Sequence, residues 1–428
     1  LNSETVLHVP QDHDYSQQAV PLHVRRGFWS MLIVMMGFTF FSASMWTGGR
    51  LGTGLDAGTF FLAVLGGNLI LGGYTGTLAH IAATTGLSTH RLAHASFGIK
   101  GSWLPSALLG LTQVGWFGVG VVMFALPVQK VTGIDLYVLI AVGGVLMTTT
   151  AYFGIRALTL LSLVAVPAIA LLGMFSVEEA VRTSGGMTAL LAIVPEQPMS
   201  FSLALTLCVG SFISGGTLTA DFTRFARSSR VAVATTVLAF FIGNSLMFVF
   251  GAVGAALYQQ ADISEVMLRQ GLIVPAMVVL GLNIWTTNDS ALYASGLAFA
   301  NISGLPKRAM VLVNGMLGSL AALVLYENFV GFLTLLGACL PPIGAIIISD
   351  YFLHGKHRWH DQAVFDAKLR VSALVAWLAG CVAAHFLPGL PPLNGLLTAA
   401  VVYLALECTL CRPRSANALS TPWSGENS

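Results

Sequence analysis

Between residues 27 and 411 this chain is a succession of apolar stretches, each long enough to cross a bilayer and most closed by a short polar or basic segment. About 20 consecutive apolar residues admit few folds, because hydrocarbon offers the backbone no hydrogen-bond partner and a helix satisfies every N–H and C=O within its own segment. The pattern predicts an all-α polytopic membrane protein with twelve spans, near residues 27–50, 57–83, 103–128, 136–155, 157–176, 199–223, 232–258, 271–300, 309–326, 328–352, 371–387 and 391–411. The fifth span is set off from the fourth only by a turn around Gly154-Ile-Arg156. Charged residues make up 9% of the chain, against roughly 25% in soluble domains.

The basic residues set an orientation. With the N-terminus inside, only Arg50, Lys130, Arg182 and Arg269 of the 20 Lys and Arg fall outside, which is the bias that the positive-inside rule describes. Both ends are then cytoplasmic: a tail over 1–24, a transmembrane domain over 25–411, and a Ser-, Pro- and Asn-containing tail over 412–428. The first 24 residues lack the pattern of a secretory signal, and Leu1 in place of Met reads as a trimmed start. The net charge of +2 reflects topology and gives no sign of a nucleic-acid partner.

Soluble catalytic motifs are missing: no phosphate-binding Gly-Lys-Ser/Thr loop, no Gly-x-Ser-x-Gly, no His-Glu-x-x-His. The five cysteines, Cys208, Cys339, Cys381, Cys408 and Cys411, lie in or beside apolar segments and form no disulfide framework. His354, His357 and His360 read as part of a solvated basic loop. An enzyme, a cofactor and a resident metal are therefore not expected.

Polar residues inside the spans are the informative ones. Within Leu272 to Ala300, Asn283, Thr286, Thr287 and Ser290 fall at i, i+3, i+4 and i+7, so four oxygen-bearing side chains share one helical face. Left unpaired in hydrocarbon, such groups cost about 2–7 kcal/mol each. The face therefore meets either neighbouring helices, as interhelical glue, or a substrate and ion cavity.

Two further spans carry small and hydroxyl residues where a helix is easily interrupted. The first holds Gly37-Phe-Thr-Phe-Phe-Ser-Ala-Ser-Met-Trp-Thr-Gly-Gly49 and the sixth holds Gly210-Ser-Phe-Ile-Ser-Gly-Gly-Thr-Leu-Thr219. Broken helices five spans apart point to an inverted repeat, with 27–176 matching 199–352 and the helices over 371–411 added, and with a binding site at the midplane beside both breaks. Tight helix packing is the other use of such glycines. In the third span Gln113 and Trp116 project together from a glycine-flanked stretch, and Phe212 lies in the sixth-span break. Two aromatic faces with Gln113 and Asn283 at their edge suit a flat heterocycle, since stacking tolerates any ring whereas amides read its substituents.

The segments Phe-Phe-Ser-Ala-Ser-Met-Trp-Thr-Gly-Gly (40–49), Gly-Ser-Trp-Leu-Pro-Ser (101–106), Thr-Gln-Val-Gly-Trp-Phe-Gly-Val-Gly (112–120), Gly-Ser-Phe-Ile-Ser (210–214), Gly-Thr-Leu-Thr-Ala-Asp-Phe (216–222) and Leu-Asn-Ile-Trp-Thr-Thr-Asn-Asp (282–289) resemble the bacterial cytosine permeases of the nucleobase:cation symporter family. The likeness runs over essentially all twelve spans. It implies a five-plus-five inverted-repeat fold like that of the leucine and hydantoin transporters, and a monomeric secondary transporter that imports cytosine across the inner membrane. It implies that Trp116 and Phe212 sandwich the base, that Gln113, Ser211, Ser214 and Asn283 meet its polar edge, and that Phe41 and Ser42 lie beside them. It places a sodium site at Gly37, Phe40, Asn283, Thr286 and Thr287.

Neutral oxygens from an unwound helix and a Thr-Thr pair suit a monovalent cation. Proton coupling would instead use a titratable group at depth, for which Asp289 and Asp221 are the candidates. Asp221 reads as an anchor charge-paired with Arg224; Asp289 either approaches the ion site or holds a neighbouring helix. Other small heterocycles, such as uracil, hydantoins or purines, remain alternative substrates.

Overall fold

The computed structural model describes Tyr15 and residues 18–410, apart from 154–155, 356–358 and 360–366; of 153, 156–165, 301 and 410 it describes the backbone alone. The turn expected at 154–156 thus falls largely outside the described residues, as do His357, His360, Cys411 and the tail over 412–428.

Every expected span coincides with a helix or a run of helices. In chain order these are α1 (Phe28–Thr39), α2 (Ser42–Gly54), α3 (Ala57–Thr85), α4 (Thr89–Phe97), α5 (Trp103–Thr132), α6 (Leu136–Phe153), α7 (Arg156–Ser184) and α8 (Met187–Leu191). The chain continues with α9 (Phe201–Gly210), α10 (Ile213–Thr217), α11 (Thr219–Thr223), α12 (Ser229–Ala239), α13 (Ser245–Tyr258), α14 (Ile263–Arg269) and α15 (Ile273–Ser303). It ends with α16 (Lys307–Glu327), α17 (Phe329–Cys339), α18 (Pro341–His354), α19 (Val371–Phe386) and α20 (Pro391–Leu410). A π-helical turn, Phe240–Asn244, joins α12 to α13 into one span.

Both expected breaks are present. In the first span the helix stops at Thr39, Phe41 is extended (φ −109°, ψ 123°), and α2 resumes at an angle of 52° to α1. The sixth span is interrupted twice, at 211–212 and at Leu218, leaving the five-residue helices α10 and α11.

The halves of the first span pack very differently. A Cβ on Gly48, Gly52 or Gly251 would overlap backbone carbonyls across the α2–α13 contact, so the two helices meet main chain to main chain. Beside them the fully buried Ser44 donates to Asn244, Asn244 to Asn68 (2.9 Å) and Asn68 to Ser245 (2.8 Å), a polar relay joining α2, the π turn, α3 and the start of α13. Helix α1, by contrast, exposes Trp29 and Ile33, and its Gly37 has no atom near its missing Cβ. It is tied down at its start, where the Arg26 N–H donates to the Phe225 carbonyl (2.6 Å) and the Arg25 guanidinium to the Ala83 carbonyl (2.6 Å).

Two sequence expectations are corrected here. Asp221 makes no ion pair with Arg224: its carboxylate accepts from the Thr89 N–H at 2.8 Å, while the Arg224 guanidinium reaches the Asp221 main-chain carbonyl. A carboxylate at the first turn of α4 meets the free N–H groups and positive end of that helix, which offer an alternative to a cation. His354 is not a loop residue in solvent. It closes α18, bonds Asp350 at 3.0 Å, and joins a polar cluster in which the fully buried Asp350 also accepts from Ser96 (3.1 Å) and Tyr403 (2.7 Å).

Candidate functional site

A cavity of about 830 Å3 lies between α1, α5, α7, the broken sixth span and α15. Its wall includes Gly37, Phe41, Gln113, Trp116, Ser211, Phe212, Ser214, Asn283, Thr286, Thr287 and Ser290. All four members of the α15 stripe line it, so the stripe faces the cavity rather than a dry helix interface. Of the residues expected at the base and cation sites, Phe40 and Ser42 are not on this wall; both are buried.

The aromatic residues surround an opening. Phe41 packs edge-on against Trp116 (centroids 5.2 Å, 71°) and against Phe212 (6.1 Å, 89°), so it forms the floor between the two rings. Phe332 packs edge-on against Trp116 at 5.3 Å, and Phe38, itself on the cavity wall, and Phe240 pack edge-on against Phe212 at 5.0 and 4.9 Å. These edge-on contacts hold both rings in place where they line the cavity.

Trp116 also has its polar edge committed: Nε1–H donates to Ser214 Oγ at 2.8 Å. Ser214 sits in α10, the short helix between the two sixth-span interruptions, so the break aims a hydroxyl across at α5. Ser211 donates to the Cys208 carbonyl, which leaves its lone pairs open. Gln113 lies one turn before Trp116 on the cavity wall, and its carboxamide makes no hydrogen bond to another described residue. A largely buried amide with free donors and acceptors beside two held rings is equipped to read the edge of a planar ligand.

At the first-span break the Asn283 carboxamide bridges both sides. Its Nδ2 donates to the Phe40 carbonyl (3.1 Å), and its Oδ1 accepts from Ser42 Oγ (2.6 Å) and the Ser42 N–H (3.2 Å). The Asn283 main-chain carbonyl receives the hydroxyls of Thr286 and Thr287, both at 2.9 Å. Four of the five residues expected to hold a cation, Phe40, Asn283, Thr286 and Thr287, are thereby brought together, with Gly37 one turn earlier on the cavity wall. Their oxygens are all neutral, a donor set that fits a hard monovalent cation without a carboxylate.

Sequence reasoning missed Asn288. It lines the cavity and donates from Nδ2 to the Phe117 carbonyl (3.1 Å) and to Met147 Sδ (3.2 Å), binding α15 to α5 and α6. The signal was present, an amide at mid-span, but one position off the stripe. Val166 and Pro167 of α7 also reach the wall, with nothing polar to mark them. Asp289 does not line the cavity; it turns to Thr150 on α6 at 2.8 Å.

A family profile described as permease for cytosine/purines, uracil, thiamine, allantoin matches residues 19–407. A cytosine permease of Escherichia coli O157:H7 is 58% identical over 406 residues, covering 95% of this chain and 97% of the relative. Among solved structures, the inward-facing conformation of Mhp1 superposes with a TM-score of 0.80 at 21% identity, covering 92% of each chain. Mhp1, a nucleobase-cation-symport-1 family transporter, in a closed conformation with bromovinylhydantoin bound, gives 0.78 at 21% identity over 92% of this chain and 95% of that one. The all-helical architecture with a broken first span is thus the Mhp1 fold, a leucine-transporter-like arrangement. Matched by the profile almost end to end and by a relative sharing more than half its residues, the chain belongs to the family of permeases for cytosine/purines, uracil, thiamine and allantoin, and is a membrane transporter rather than an enzyme.

Proposed function

We propose that this permease is a secondary transporter that imports cytosine together with sodium, and that the base lies between Trp116 and Phe212. One observation carries the reading: the Gln113 carboxamide, which makes no hydrogen bond to another described residue, lines a cavity together with two aromatic rings that are each held by edge-on ring contacts. Stacking supplies affinity for any flat base and the amide supplies the choice among them. Ser211 and Asn283 stand at the same edge, with Phe41 as the floor and Ser42 holding Asn283. The 58% identity to a cytosine permease narrows the base to cytosine.

The neutral oxygens of Gly37, Phe40, Asn283, Thr286 and Thr287 favour sodium over a proton, because Asp289, the carboxyl at comparable depth, turns away from them. The two breaks, five spans apart, support pairing of 27–176 with 199–352 as inverted repeats. The cavity extends along Trp29, Leu32 and Ile33 of α1 toward the end bearing Arg25, Arg26 and Arg224. By the positive-inside rule that end is cytoplasmic, which supports reading the arrangement as inward-facing. The test is uptake of labelled cytosine into proteoliposomes, competed by a panel of bases with sodium or choline outside. Sodium-stimulated uptake that cytosine competes best supports the assignment; uptake indifferent to sodium, or better competed by another base, replaces it.

A further inference from the structure

The π turn Phe240–Asn244 lies where the aromatic slot, the first-span break and the buried relay meet. Phe240 is fully buried and packs edge-on against Phe212 at 4.9 Å. Three residues on, a Cβ at Gly243 would overlap Thr39 Oγ1 and crowd the Phe40 ring, so the turn rests directly on the break. Asn244, also fully buried, accepts from Ser44 Oγ at 2.7 Å and donates to Asn68 Oδ1 at 2.9 Å. It is not on the cavity wall.

A π turn holds one residue more than the α-helical turn it replaces. Each residue turns an α-helix by about 100°, so the extra one re-aims everything that follows. Both halves of the span depend on it: Val237 of α12 packs on Gly76 of α3, whereas Gly251 of α13 meets the Met45 carbonyl of α2. Closing the turn to a plain α-helix would swing one half off its partner and carry the Asn244 amide away from Ser44 and Asn68. An amide left unpaired at this depth is strongly disfavoured, so the relay is what keeps the turn wide.

We infer that Asn244 is a positioning residue for transport: by holding the π turn open it keeps the first-span break and the Phe212 ring in one register, so that cation and base act on a shared segment. The inference rests on the assignment of the base to Phe212 and of the cation to the break. A cation drawing in the Phe40 carbonyl changes the surface on which Gly243 rests, and a base stacked on Phe212 changes the one on which Phe240 rests. A π turn that can close to an α turn is the two-state element that both ligands bias.

The measurement is cytosine affinity of folded, purified protein in sodium and in choline, the ratio of the two being the sodium factor. Asn244→Leu keeps the volume and removes both bonds, and its sodium factor should fall about threefold, the worth of an average interhelical hydrogen bond in membranes. Asn314→Ala removes a comparable bond elsewhere, to Ser295 at 3.0 Å, and should lower the unfolding midpoint while keeping the wild-type factor. A folded Asn244→Leu protein that keeps the wild-type factor would overturn the inference and leave the turn as packing alone. Amide exchange across 240–245 of the wild type in lipid needs no variant: sodium and cytosine, each added alone, should slow it by a larger factor than they slow α19, which is remote from the cavity. Exchange at the turn that neither ligand changes would overturn the inference even if Asn244→Leu does not fold. A wild type whose cytosine affinity ignores sodium counts against the cation assignment instead, and slowing of the turn by cytosine then decides its role.

Discussion

Asn283 Nδ2 donates to the Phe40 main-chain carbonyl at 3.1 Å, so one side chain of the eighth span holds the residue at which the first half of the first span ends. The bond matters because Phe40 ends α1 with its carbonyl outside any continuing helix. Such a carbonyl must find a donor or a cation. Asn283 also accepts from Ser42 on the far side of the break, and the break is therefore stitched from both ends by one amide.

Replacing Asn283 by Leu, which keeps the volume but removes the amide, should leave the Phe40 carbonyl and the Ser42 N–H unpaired. Each orphaned group costs about 1–3 kcal/mol. The expected outcome is a fall in the thermal unfolding midpoint of detergent-purified protein, together with loss of uptake. An unchanged midpoint would show that the break supports itself.

Trp116→Ala removes one stacking face and its bond to Ser214. Stacking is worth about 1–3 kcal/mol per base, and each 1.4 kcal/mol is tenfold in affinity. Cytosine affinity, measured by calorimetry on folded protein, should drop between about fivefold and about 150-fold. Normal affinity would remove Trp116 from the site.

Gln113→Ala should act selectively. Its amide makes no hydrogen bond to another described residue, so its loss should leave folding unaffected, while a bound base loses the matching edge contact. Affinity for cytosine should fall more than affinity for a base without that edge group. Equal losses across a base panel would reduce Gln113 to a spacer.

Thr287 donates its hydrogen to the carbonyls of Asn283 and Ile284, at 2.9 and 3.0 Å, which leaves lone pairs for a cation. Thr287→Ala should therefore abolish the sodium dependence of cytosine affinity rather than the affinity itself. Linkage requires that whatever factor sodium adds to cytosine binding, cytosine adds to sodium binding. Titrations of each in the presence of the other should show both factors lost together. A mutant that keeps its full sodium response would move the cation elsewhere.

Much of the site was legible because membrane spans make polar residues expensive. Asn283, Thr286, Thr287 and Ser290 stood out against an apolar run, and helical spacing alone put them on one face. The breaks at 40–41 and 211–212 were readable from small and hydroxyl residues at mid-span. Asn288 escaped because its face is set by what α15 packs on: it meets the Phe117 carbonyl where Gly120 of α5 leaves room. The Asp221–Arg224 pair failed for a similar reason, since the N–H of Thr89 comes from a helix more than a hundred residues away in sequence.

The sequence by itself determined the spans, the positions of their interruptions and the polar face of α15, because hydrophobicity and helical periodicity act within a single segment and hydrocarbon enforces both. What only the tertiary structure decided is the partner of each polar group. That Asn283 spends its amide on Phe40 and Ser42 while Gln113 makes no hydrogen bond to another described residue, and that Asp289 turns to Thr150 instead of the oxygens at the first-span break, depends on which helices lie side by side and at what rotation. Hydrogen bonds reach only about 3 Å, so a small rotation of α15 would exchange these partners without altering the hydrophobic pattern along the chain.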